Sequence, residues 1–228
     1  MKIGIIFAMK EELSALKKYI NIEEEKKIFD LTFYIGRTNG IECVLVESGI
    51  GKVNAARTTQ ILIDKENVDY VFNIGVAGAT ISTLNVGDII IGEKLAQHDF
   101  DITAFNHEKG YIPNVGTYIY SDEKLVDAAK EIDGTKVGVI ASGDLFCTDI
   151  NVFSKINNKF NALCTEMEGA AVAQVCYLSN IPFLIMRSIS DKPNNNNKEN
   201  FNEFLEKSSD NIANVMLRLI EELNETIC

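Results

Sequence analysis

The stretch Ile3-Gly-Ile-Ile-Phe-Ala-Met9-Lys-Glu-Glu12-Leu13-Ser-Ala-Leu16-Lys-Lys-Tyr-Ile20 changes period halfway along. From Ile3 to Ala8 it is a near-continuous apolar run, the pattern of a strand covered on both faces. From Met9 the apolar residues fall at 9, 13, 16 and 20, one stripe of a helix. The same switch recurs. Cys43–Glu47, Tyr70–Ile74, Val86–Ile91, Val137–Ala141 and Phe183–Ile189 read as further buried strands. Val53, Ala56 and Ile63 form a second helical stripe, and Leu125, Val126 and Ala129 a third. Glu168–Leu178 and Phe201–Leu223 read as a fourth and a long final helix. Strands alternating with helices predict a three-layer α/β/α fold. Between Ile28 and Glu47 two β-rich runs are joined by Arg37-Thr-Asn-Gly40, and Asn-Gly is a strong hairpin turn, so the central twisted sheet is expected to be mixed.

The 228 residues fit one large unit, with 1–228 read as a single domain. Hydrophobic residues at 46% and charged residues at 24% exclude disorder and coiled coil. The formal net charge of −11 repels phosphate backbones and anionic lipid, which argues against nucleic-acid and membrane partners. Five widely spaced cysteines contain no C-x-x-C pair and fit reduced thiols in the cytoplasm. The opening apolar run stops at Lys10-Glu11-Glu12, too short for a signal peptide, and the stretch near Gly169–Leu178 is half what a bilayer requires.

Generic motifs exclude more than they assign. Gly49-Ile-Gly51-Lys-Val-Asn54 lacks the third glycine of a dinucleotide fingerprint. A phosphate-binding P-loop is excluded because Val46 and Val53 stand where Gly and Ser/Thr are needed. In His98-Asp99-Phe-Asp101, strand alternation would put His98 on the face opposite both aspartates, so no metal is expected. The run Lys192-Pro-Asn-Asn-Asn-Asn-Lys198 reads as a loop, either a tether or a flap beside a site.

Carboxylates at the ends of apolar strands are the candidates for chemistry. Glu11 and Glu12 both suit a helix N-terminus, where the macrodipole favours acids by about 0.3–1 kcal/mol. Glu12 alone lies on the edge of the apolar stripe and can face a cleft. Glu166-Met167-Glu168 precedes a helix of small apolar residues, so Glu168 suits either a helix cap or a pair of sugar hydroxyls. Asp191 ends a long apolar strand, and ligands in such sheets bind beyond the carboxyl ends of strands.

Seven motifs occur in order: Ile3-Gly-Ile-Ile-Phe-Ala-Met9-x-x-Glu12, Ser48-Gly-Ile-Gly-Lys-Val53, Asn73-Ile-Gly75-Val-Ala-Gly78, Val86-Gly-Asp88, Ser142-Gly-Asp144-x-Phe146, Glu166-Met-Glu168 and Arg187-x-x-Ser190-Asp191. Together they resemble the 5′-methylthioadenosine/S-adenosylhomocysteine nucleosidases of the nucleoside phosphorylase superfamily, over nearly the whole chain. The resemblance implies hydrolysis of a purine–ribose bond without cofactor or metal, in methionine salvage, by a cytoplasmic homodimer. Adenine leaves far better when protonated, so a neutral carboxylic acid at the base is needed. Asp191 matches that acid, oriented by Ser190, and Glu12 matches the residue that activates water on the opposite face. Glu168 would hold the ribose hydroxyls, aided by the Met167 backbone and Arg187. Phe146 would stack on adenine and the Cys147 backbone would read its edge, with Ala77 and Gly78 bordering the nucleoside. Met9, Ile50 and Phe201 would line the 5′-thioalkyl pocket, completed by Ile102, Phe105 and Pro113 from the partner subunit. One departure is Val76, where the family often carries Ser; it removes a hydroxyl near the sugar.

Three other functions compete. A purine nucleoside phosphorylase would need cationic clamps for phosphate, and Arg37 and Arg57 belong to no recognisable clamp. Futalosine hydrolysis uses a related scaffold. A nucleoside-binding sensor could dispense with both Glu12 and Asp191.

Overall fold

The computed structural model describes residues 1–192 and 197–227, with side chains described for 1–192 and 203–224. In chain order the elements are β1 (Lys2–Phe7), α1 (Lys10–Lys17), β2 (Asn21–Ile28), β3 (Leu31–Thr38), β4 (Ile41–Glu47), α2 (Lys52–Glu66) and β5 (Tyr70–Ala79). They continue with β6 (Ile89–Gln97), β7 (Ile119–Tyr120), α3 (Glu123–Lys130), β8 (Thr135–Ser142), α4 (Ile150–Phe160), β9 (Ala162–Glu166), α5 (Gly169–Ser179), β10 (Phe183–Asp191) and α6 (Asn197–Ile227).

All strands join one mixed sheet in the order β10-β6-β8-β9-β5-β1-β4-β3-β2, with β7 beside β6. β1 pairs parallel with both β4 and β5, while β2, β3 and β4 form an antiparallel meander. Asn39 and Gly40, both at positive φ, make the expected turn between β3 and β4. β5 is ten residues long and changes neighbours along its length. Its first half lies between β1 and β10, whereas Gly78 and Ala79 pair with β9. The β10–β5 pairing therefore closes one end of the sheet into a ring of five strands.

Alternation along the strands divides the core. Ile3, Ile5 and Phe7 of β1 pack with Leu13 and Leu16 of α1, Leu125 of α3 and Ile212, Met216 and Leu219 of α6. Ile6, Val44 and Val46 face the other way, against Ala55 and Leu62 of α2 and Ala170–Cys176 of α5. Helices cover both faces, giving the expected three layers. No helix among the described residues is long and apolar enough to cross a membrane.

Four local expectations need correction. The strand expected from Val86 begins at Ile89, because Val86–Asp88 form a turn in which the Asp88 N–H bonds to the Asn85 carbonyl. On α2 the fully buried face is Ala55, Thr58, Thr59, Leu62 and Glu66; of the expected stripe, Ala56 and Ile63 pack against the core only in part and Val53 is exposed. Two of the three polar residues there are partnered: Thr59 Oγ1 donates to the Ala55 carbonyl at 2.7 Å, and Glu66 accepts from Lys2 and Lys26. β6 ends at Gln97, so His98–Asp101 do not alternate as a strand. The loop expected over Lys192–Lys198 ends early, because Asn197 and Lys198 already belong to α6; 193–196 lie outside the described residues, and Lys192 reaches Asn85 Oδ1 at 2.9 Å.

Candidate active site

The parallel strands β1, β5 and β10 deliver their carboxyl ends to one cavity of about 580 Å³, open mouth included. Of the residues singled out in the sequence, Met9, Glu12, Ile50, Ala77, Gly78, Phe146, Cys147, Met167, Glu168, Ser190 and Asp191 line it.

Glu12 occupies the third position of α1 and is buried. Its Oε2 accepts the Ala8 and Met9 N–H groups, both at 3.0 Å, and its Oε1 accepts the Val76 N–H at 3.0 Å. The helix-capping role is thus real, yet the same side chain lines the cavity. Burial pushes the Glu12 carboxyl above its ordinary value, although the Arg187 charge and the three N–H groups oppose the shift. A glycine makes the placement possible: a Cβ on Gly75 would lie 2.5 Å from Glu12 Oε1.

Asp191 is buried at the end of β10, where a register shift follows Ile189 and sets Asp191 opposite Gly78. Here too a glycine is required, since a Cβ on Gly78 would lie 2.9 Å from Asp191 Oδ2. Ser190 Oγ donates to Asp191 Oδ1 at 2.8 Å, with the Ala77 carbonyl at 3.3 Å as its alternative acceptor. The single motif Asn73-Ile-Gly75-Val-Ala-Gly78 therefore clears space for one carboxyl on each side of β5.

Glu166 and Glu168 have different tasks. Glu166 caps α5 by accepting the Glu168 and Gly169 N–H groups at 3.0 and 2.7 Å, and it also pairs with Ser142 Oγ and Arg187 Nη2. Glu168 makes no side-chain cap; its Oε1 accepts the Gly51 N–H at 2.8 Å. Burial first, and then the neighbouring Glu166 charge, push the Glu168 carboxyl up to about 8, against the pull of Arg187 and the Gly51 N–H.

Arg187 does not reach the cavity, contrary to the expectation of a sugar contact. It is 2% exposed, and its donors are taken by Glu166, by Asn73 Oδ1 at 2.5 Å, and by the Asn73 and Met186 carbonyls at 3.0 and 2.9 Å. Burial works against its charge, but Glu166, Glu168 and Glu12 outweigh that effect and hold it cationic. It is the internal counter-ion of an acidic site.

Within this chain Ile102, Phe105 and Pro113 lie away from the cavity. Phe105 ends a short 3₁₀ turn and is 75% exposed. The Phe201 side chain falls outside the described residues. His98 and Asp99 gather no metal set; no cluster of three candidate ligands exists among the described residues. Sequence reasoning overlooked Ala8, Leu145, Phe153 and Thr165 as lining residues and the anchoring role of Glu166. Phe153 carried a signal: Phe153, Ile156 and Phe160 are a helical stripe. Cys147 is held by burial, then by the Asp191 charge, with its thiol pushed up to about 11, so it is a wall and not a nucleophile.

A family model described as Phosphorylase superfamily matches residues 2–221. The 5′-methylthioadenosine/S-adenosylhomocysteine nucleosidase of Geobacillus sp. (strain WCH70) is 41% identical over 232 residues, covering 99% of this chain and all of that protein. The nucleosidase of the same name from S. pneumoniae, solved with a transition-state inhibitor, superposes with a TM-score of 0.94 at 38% identity, covering 98% of this chain and 100% of the other. Futalosine hydrolase of Helicobacter pylori strain 26695 superposes equally well, TM-score 0.94, at 35% identity and 98% coverage of both chains. With full-length likeness in sequence and structure, the chain belongs to the 5′-methylthioadenosine/S-adenosylhomocysteine nucleosidase family of the phosphorylase superfamily.

Proposed function

We propose that this protein hydrolyses the N-glycosidic bond of 5′-methylthioadenosine and S-adenosylhomocysteine, yielding adenine and the thioribose product. One observation carries the mechanism: Glu12 and Asp191, 179 positions apart by their numbering, line one cavity from the ends of different strands. Asp191, steadied by Ser190, gives a proton to ring position seven of adenine as the bond to the sugar breaks. Glu12 takes a proton from a water that attacks the anomeric carbon from the opposite face, so the electron pair of the broken bond leaves with neutral adenine. Oε2 of Glu168, not used by Gly51, faces the ribose hydroxyls with the Met167 backbone, while Phe146 and Cys147 bound the base. Met9 and Ile50 form the wall for the apolar 5′ group.

Water is favoured over phosphate as nucleophile. Among the described residues the lining holds Glu12, Glu166, Glu168 and Asp191 but no Lys, Arg or His, so a phosphate dianion has no clamp. Arg57 is paired with Asp30, and Arg37 with Glu42 and Glu23. The likeness to a futalosine hydrolase supports a second reading, turnover of futalosine at the same cavity. We further propose a single domain over 1–228 that works as a cytoplasmic homodimer in methionine salvage. The exposed apolar side chains Val53, Phe105 and Leu178 support the dimer, with Ile102, Phe105 and Pro113 closing the partner's pocket.

The test is incubation with methylthioadenosine, S-adenosylhomocysteine and futalosine in phosphate-free buffer, following release of the base. Release from the two thioether nucleosides, abolished in D191N while ligand binding survives, is the expected result. Turnover that requires phosphate and yields ribose 1-phosphate products overturns the water mechanism. Turnover of futalosine alone selects the second reading.

A further inference from the structure

Three chain segments are laced together beside the cavity without lining it. Lys52, the first residue of α2, donates through Nζ to Asp99 Oδ1 at 2.6 Å and to Gln97 Oε1 at 3.0 Å. The other oxygen of Asp99 accepts the Asp144 N–H at 2.9 Å. Asp144 Oδ1 in turn accepts the Lys52 backbone N–H at 2.8 Å, which closes the circuit. The two loops also lie flush: the His98 N–H bonds to the Ser142 carbonyl at 2.9 Å, and a Cβ on Gly143 would strike the His98 ring at 2.4 Å.

The circuit adjoins two groups of lining residues. Gly51, next to Lys52, donates its N–H to Glu168. Asp144 lies two residues before Phe146 and three before Cys147. We propose that the Lys52–Asp99–Asp144 circuit is a positioning device that fixes the Phe146–Cys147 wall relative to Glu168, and so sets how tightly the purine end is held. This rests on the nucleosidase reading for its substrate. Lys52 and Asp99 act through other residues, since neither side chain lines the cavity.

K52M, D99N and their double variant test it by steady-state turnover of methylthioadenosine, inhibition by free adenine and thermal unfolding. Loss of the circuit raises KM and the adenine inhibition constant together, by roughly three- to thirtyfold, with kcat changed less. The double variant is no worse than the worse single one, because the residues act as one unit. K52R, which keeps the charge, recovers part of the loss. Unchanged KM and adenine inhibition in both single variants overturn the proposal. So does a fall in kcat that tracks lost folded protein at constant KM, the mark of a merely structural ion pair. If the wild-type protein releases no adenine, the nucleosidase reading fails by itself, and calorimetric adenine binding to the same variants still decides the role of the circuit.

Discussion

Gly75→Ala isolates the placement of Glu12 from every other feature of the site. The three nearest atoms to a Cβ at position 75 all belong to Glu12: Oε1 at 2.5 Å, Cδ at 3.0 Å and Oε2 at 3.3 Å. Gly75 is outside the positive-φ region, so alanine brings no backbone strain of its own. To restore ordinary contact the carboxyl must retreat by about an ångström, and the Val76 N–H at 3.0 Å is the partner it loses first. A hydrogen bond to a charged acceptor contributes ~1.5–3 kcal/mol, which sets the expected loss of stability. A catalytic group displaced by about 1 Å costs roughly 10²-fold, and complete loss of a general base ~10²–10⁴-fold. We therefore expect kcat for methylthioadenosine to fall about 100-fold with KM changed far less. Adenine release measures the rate and urea unfolding the stability. The decisive control repeats Gly75→Ala in a Glu12→Ala background, where the added methyl meets no carboxylate and costs little further activity. A Gly75→Ala protein with wild-type kcat, or an equal loss in both backgrounds, refutes the reasoning.

Two other perturbations probe the buried charges. The Glu168 carboxyl sits at about 8 in the folded protein against an ordinary 4.5. The folded state thus binds the extra proton between those values, and stability is full below about pH 4.5 and declines as pH rises through 8. Glu168→Gln removes that slope and stabilises the protein at pH 9 by an amount on the order of a few kcal/mol, read from urea unfolding at several pH values; an unchanged slope refutes the assignment. Arg187→Met leaves Glu166 buried without its counter-ion and should destabilise by about 3–5 kcal/mol, far more than loss of the surface pair between Arg37 and Glu42. Equal melting temperatures for the two variants contradict the internal counter-ion role.

Much of the site was legible because function and strand ends coincide. Glu12 and Asp191 each follow an apolar run, whereas the reason for Gly75 and Gly78, room for those two carboxyls against β5, shows only in the structure. What escaped notice follows physical rules that a linear pattern hides. β2, Asn21–Ile28, is mostly polar because it is an edge strand with little to bury. The core face of α2 is masked by Thr58, Thr59 and Glu66: Thr59 turns its hydroxyl back onto the Ala55 carbonyl, and Glu66 is satisfied by Lys2 and Lys26, which are distant in sequence. Arg187 was expected at the ribose only from the family resemblance. Its true partner, Glu166, is itself acidic, and two acids flanking Met167 cannot be told apart until one is seen capping α5. Closure of the sheet through β5 and β10 depends on a pairing that neither strand announces.

The central claim is that Asp191 and Glu12 flank one glycosidic bond. A crystal structure of the Glu12→Gln protein with unreacted methylthioadenosine tests it most directly. The account predicts an Asp191 carboxyl oxygen within about 3.2 Å of adenine ring position seven, and residue 12 across the sugar with a water between it and the anomeric carbon. A nucleoside bound elsewhere, or with both side chains on the same face of its ribose, contradicts the account.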